Sequence, residues 1–67
     1  MMPKISLKAA RVNAGFTIAQ AADIADVSDS TIKSWEAGKT FPSQPKIEAL
    51  CAAYKMPYDN IDFNPKK

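Results

Sequence analysis

Val27-Ser28-Asp29-Ser30-Thr31-Ile32-Lys33-Ser34-Trp35-Glu36-Ala37-Gly38 is the stretch on which the reading of this chain turns. Ser28 is a good N-cap, because its hydroxyl can accept from a backbone N–H that the first helical turn leaves unpaired. Gly38 is a good stop, since it takes the left-handed conformation without a Cβ clash. Between these caps, a step of about 100° per residue puts Thr31, Ile32, Trp35 and Glu36 on one side of a helix. Asp29, Ser30, Lys33, Ser34 and Ala37 form a contiguous arc opposite. One side suits a core; the other is short and polar.

An ordinary solvated helix face carries long Lys and Glu side chains in i,i+4 pairs. This arc is mostly small hydroxyls instead. Short side chains let a helix approach a surface closely, and a DNA major groove about 12 Å wide admits a helix whose Ser, Asp and Lys groups reach base edges. The residues of this segment leave two readings open: an amphipathic surface helix, or a helix that enters a groove.

At 67 residues the chain is expected to be one domain with one small core, near the lower size limit for folding without staples. A single cysteine, Cys51, and no histidine exclude an internal disulfide framework, a Cys–His zinc site and a Cys–His nucleophile pair, so folding rests on packing and no metal or cofactor is expected. The apolar runs fall far short of the ~20 residues that span a bilayer, and Met1-Met2-Pro3-Lys4-Ile5-Ser6 lacks the apolar core of a signal peptide. A cytoplasmic protein with no membrane partner is the expectation. Nine Lys and Arg against seven Asp and Glu give a formal charge of +2, which permits an anionic partner without demanding one. Without Lys4, Lys66 and Lys67 the balance is slightly acidic, so modest nonspecific DNA affinity is expected, with the tail lysines contributing.

Outward from the central stretch, the pattern predicts an all-α bundle of four to five short helices. Residues 1–5 read as a flexible arm, 6–63 as the domain and 64–67 as a disordered basic tail. Ser6 caps a first helix running to about Ala14, with Leu7, Ala10, Arg11 and Ala14 facing inward and Gly15 as its stop. Arg11 on that apolar line needs a partner. Thr17 and Gln20 form a capping box for a second helix over about 18–25, and Phe16 can staple onto Ala21. Ala21, Ala22 and Ala25 allow a neighbouring helix to come close. The Asp26-Val27 connection is short enough to force a steep crossing into the next helix, with Asp26 left-handed and Val27 filling the corner. After Gly38, the Lys39-Thr40-Phe41-Pro42-Ser43 loop brings Phe41 back onto the core. Pro45 opens a fourth helix that buries Ile47, Leu50, Cys51 and Tyr54, and Met56-Pro57 stops it. A last helical turn from Tyr58 to Asp62 presents Ile61, with Phe63 behind; no strand is evident.

Leu7-Lys8-x-x-Arg11-x-x-x-Gly15-Phe16-Thr17, followed by Val27-Ser28-x-Ser30-Thr31-Ile32-x-x-Trp35-Glu36-x-Gly38-Lys39, resembles the lambda-repressor/Cro-type helix-turn-helix family over about residues 6 to 62. Within it, the chain is similar to small regulators of phages and prophages. The resemblance implies a double-stranded DNA partner, with Asp29, Ser30, Lys33 and Ser34 nearest the bases. Thr17, through its hydroxyl and backbone, Ser28, Lys39 and Thr40 are implied as phosphate contacts that set register while the arc reads sequence. It also implies that Arg11 pairs with Glu36.

Two positions depart from the family's pattern. Where many members begin the second helix with a glutamine that donates to phosphate, this chain has Ile18, which has no side-chain donor. Asp29 is an acid facing a polyanion; it either accepts from a cytosine amino group or favours the positive end of the helix dipole. Trp35 reads as a core anchor rather than a base-stacking residue. Tyr58, Ile61 and Phe63 form a candidate surface for a homodimer, left uncovered by so small a domain.

No catalytic constellation is present in the sequence, and no small-molecule ligand suggests itself. The expected function is a sequence-specific DNA-binding transcriptional regulator, a repressor. The rival is a protein-interaction module on the same fold, an antitoxin or regulatory adaptor, toward which Asp29, Ile18 and the small net charge lean.

Overall fold

The computed structural model describes residues 4–63. The arm's first three residues and the basic tail of residues 64–67 lie outside them. The fold is all-α: four helices, α1 (Leu7–Asn13), α2 (Ile18–Ala25), α3 (Asp29–Ala37) and α4 (Gln44–Tyr54), surround one core, and a 3-10 turn at Tyr58–Asn60 follows. A two-residue parallel pairing joins the ends, with β1 (Ile5–Ser6) against β2 (Ile61–Asp62) and Ile5 opposite Ile61. Two residues per strand are too few for a period-2 pattern to be read from sequence, so this closure went unforeseen. It takes in Ile5, within the stretch assigned to the arm.

Local chemistry sets each helix start. The Ser6 hydroxyl accepts from the Ala9 N–H at 3.0 Å. Thr17 and Gln20 complete a reciprocal capping box, Gln20 N–H to Thr17 Oγ1 at 3.1 Å and Thr17 N–H to Gln20 Oε1 at 2.9 Å. Ser28 Oγ accepts from the Thr31 N–H at 3.2 Å. Pro45 lies in the first turn of α4, where its missing N–H removes no helical hydrogen bond.

All four helices stop by one device, the Schellman motif, in which a left-handed residue follows the last turn and the next N–H reaches back across it. The reaching bonds are Phe16 N–H to Arg11 O at 3.1 Å, Val27 to Ala22 at 2.9 Å, Lys39 to Ser34 at 3.0 Å and Met56 to Cys51 at 3.1 Å. Gly15, Asp26, Gly38 and Lys55 are the left-handed residues. The stop of α4 is thus made at Lys55, ahead of Met56-Pro57. Three of the reaching residues, Phe16, Val27 and Met56, pack on the core, as a hydrophobic residue at this position commonly does. The fourth, Lys39, is exposed.

Leu7, Ala10, Ala21, Ala22, Ala25, Ile32, Trp35, Leu50, Tyr54, Ile61 and Phe63 form the core, with Ile47 and Cys51 of α4 at its edge. The alanine face of α2 explains how α3 and α4 both pack closely on one short helix. Lys46 of α4 adds a tie: its Nζ donates to the Ala25 carbonyl at 2.7 Å, satisfying an acceptor at the negative end of α2. The loop after α3 departs from expectation. Phe41 is 60% exposed, and it is Pro42 that is buried. Pro42 therefore takes the place on the core that was expected of Phe41.

Candidate nucleic-acid interface

The connection between α2 and α3 is three residues long, Asp26 to Ser28. Asp26 adopts φ 59° and ψ 51°, which turns the chain sharply without a glycine. Val27 packs into the corner and Ser28 begins the next helix. A helix-turn-helix results.

From behind, α3 is fixed by Ile32 and Trp35, both buried, and by an ion pair. The Arg11 guanidinium donates from Nε to Glu36 Oε2 at 2.7 Å, from Nη2 to Glu36 Oε1 at 3.3 Å and from Nη1 to the Phe16 carbonyl at 2.9 Å. Both side chains are nearly enclosed, 9% and 8% exposed. Hydrogen bonding to Glu36 raises the Arg11 pKa further above its ordinary value, outweighing the burial that opposes it. One interaction thus ties α1 to the back of α3 and pins the turn at Phe16 that leads into α2.

Beside this pair, the Tyr54 hydroxyl is buried without a hydrogen-bond partner among the described residues. Burial, with the Glu36 charge adding, pushes its pKa up to about 12. Its ring lies 6.0 Å from that of Phe16.

On the outer side of α3, Asp29, Ser30, Lys33 and Ala37 are exposed. Ser34, one of the four candidate base readers, is half-buried. The three exposed candidates share one ridge, and Ser34 stands at its edge. The phosphate candidates fare differently. Lys39 and Thr40 are exposed just beyond the end of α3. Thr17 commits its backbone N–H to Gln20 Oε1, which withdraws the backbone donor proposed for phosphate and leaves the hydroxyl proton. Ser28 is occupied as a cap, and its hydroxyl also lies 3.0 Å from Thr31 Oγ1.

Two open clefts flank the helix-turn-helix, and their charges differ in sign. One is lined by Ala19, Gln20, Ala22, Asp23, Val27 and Asp29 and carries two carboxylates. The other is lined by Lys8, Arg11, Ile18, Lys33, Glu36 and Ala37, and its one carboxylate is the one bonded to Arg11. The sequence reading did not single out Lys8 as a site residue; its place on a cleft with Lys33 follows from the packing of α1 on α3.

The candidate dimer surface needs correction. Ile61 is 2% and Phe63 9% exposed, so both belong to the core, and Tyr58, 55% exposed, is the one that meets solvent. Pairing with Ile5 fixes Ile61 inward, and Tyr58 covers Phe63 by stacking at 5.5 Å between ring centroids. With Phe41 and Lys4, Tyr58 edges an open groove.

No helix among the described residues is long and apolar enough to cross a membrane. Neither a curated protein nor a solved structure gave a significant match to the chain. A family model described as a helix-turn-helix domain matches residues 5–62, which takes in every element from the Ile5 pairing to its partner strand. The chain belongs to the helix-turn-helix domain family, membership of which implies DNA binding.

Proposed function

We propose that this protein is a sequence-specific transcriptional regulator of the phage or prophage type, a repressor that occupies an operator and blocks polymerase. The observation that carries the reading is the exposed ridge of Asp29, Ser30 and Lys33, which stands on a helix braced by Trp35 and the Arg11–Glu36 pair. Placed in a major groove, that ridge brings hydroxyls, a carboxylate and an ammonium to base edges, with Ser34 at its side. Lys39 supports the docking: where three other helix ends put an apolar residue on the core, this one puts an exposed cation. Lys39 and Thr40 then hold phosphate at one end of α3, with the Thr17 hydroxyl at the start of α2. Two copies on a symmetric operator would set half-sites about 34 Å apart, with the exposed Tyr58 face as the candidate contact between them.

Selection of duplexes from a random pool at low and moderate salt tests this, with symmetry in the winners reporting the dimer. Lys33→Ala is expected to relax discrimination at one position. Lys39→Ala is expected to weaken binding to all sequences alike and to flatten the salt slope. If both substitutions leave binding to the selected duplex unchanged, the docking is wrong.

A further inference from the structure

The cleft between α1 and α3 has a floor and a rim of different character. Its floor is the Arg11–Glu36 pair, in which each charge is met by the other at 2.7 Å. Its rim carries Lys8 and Lys33, both exposed, and each sits three residues before a member of that pair. Residues three apart share a helix face, so the ion pair that joins the two helices also aligns the two lysines along one opening. Ile18 lines the same cleft at the start of α2 and brings no side-chain donor to it. The other cleft, with Asp23 and Asp29, repels a phosphate strand.

We propose that the Lys8–Lys33 cleft receives a DNA backbone phosphate, with Lys8 as its principal cation. Lys8 supplies its charge from α1, and Lys33 keeps its ammonium for the groove. The contact fixes the protein from α1. This inference rests on the DNA-binding reading above and adds a residue that the reading does not need.

The test compares wild type, Lys8→Ala, Lys8→Arg and Lys55→Gln on a selected duplex and on a scrambled one of equal length, from 50 to 200 mM salt. Lys55 ends α4, on neither wall of the cleft. Loss of one phosphate contact reduces the log–log salt slope by about 0.9 and weakens binding about ten-fold at 50 mM salt. Lys8→Ala is expected to do both, equally on the two duplexes, while Lys8→Arg restores wild-type behaviour and Lys55→Gln preserves it. Lys8 is exposed, so an unchanged circular dichroism spectrum is expected to accompany the loss. If wild type selects a duplex and Lys8→Ala keeps the full slope, this inference falls and the DNA-binding reading stands. An equal loss in Lys55→Gln also overturns it, because bulk charge would then account for the effect. If wild type selects no duplex, both fall together.

Discussion

Replacing Arg11 by Met tests the brace behind α3 quantitatively. The substitution removes the three donors aimed at Glu36 and the Phe16 carbonyl and leaves a carboxylate that is 8% exposed without its cation. Breaking one side of a buried ion pair costs about 3–5 kcal/mol. A 67-residue chain at ordinary specific stability has only about 3–10 kcal/mol in total. Arg11→Met is therefore expected to bring the domain close to half-unfolded at 25 °C, or to lower its Tm by about 12 °C or more. Adding Glu36→Leu removes the stranded charge, and what then remains is chiefly the Phe16 carbonyl short of one donor, at about 1–3 kcal/mol. The double variant is expected to be more stable than Arg11→Met by about 2 kcal/mol. Urea titrations followed by far-ultraviolet circular dichroism and by Trp35 fluorescence measure both, provided that the two probes give coincident transitions. If the double variant loses the sum of the two single losses, the groups act independently and the brace is not a coupled pair.

Other expectations follow from single contacts. Tyr54→Phe is expected to be neutral or slightly stabilising in urea titrations at pH 7, because the hydroxyl it removes is buried with no hydrogen-bond partner among the described residues. The same variant tests a pH effect: with Tyr54 raised from 10 to about 12, the folded state holds a proton that the unfolded state releases, so wild-type stability is full below pH 10 and falls from there to about pH 12. The part of that fall due to Tyr54 is expected to vanish in Tyr54→Phe, and identical alkaline profiles would refute it. Lys46→Met is expected to destabilise by about 1–2 kcal/mol through loss of a charge-assisted bond to the Ala25 carbonyl, measured as a lower urea midpoint. Asp29→Asn is expected to raise affinity for scrambled duplexes by relieving repulsion; if affinity for the selected duplex falls instead, the carboxylate is reading a base.

Most of the architecture was legible because it is written in local chemistry. Ser6, the Thr17/Gln20 box and Ser28 announce the starts of three helices; Gly15, Asp26 and Gly38 announce three stops. What escaped depends on partners distant in sequence. The Ile5–Ile61 pairing joins residues from opposite ends of the chain, and it decides that Ile61 is core rather than surface. Phe41 was misplaced because hydrophobicity says only that one of two neighbours is buried, and Pro42 took that place. Lys55 ends α4 in a conformation that its residue type does not favour, so Met56-Pro57 drew the reading instead. Within the site, periodicity alone found the exposed Asp29, Ser30 and Lys33 ridge. Lys8 gave no such signal, since a lysine on a short helix is ordinary until the fold puts a second one across a cleft from it.

The outward side of α3 is the centre of the account, and intermolecular nuclear Overhauser contacts between isotope-labelled protein and a selected duplex test it most directly. Contacts from Ser30, Lys33 and Ser34 to major-groove base protons, with Trp35 showing none, are the predicted result. Contacts confined to the Phe41 and Tyr58 groove, with the α3 ridge silent, would contradict it.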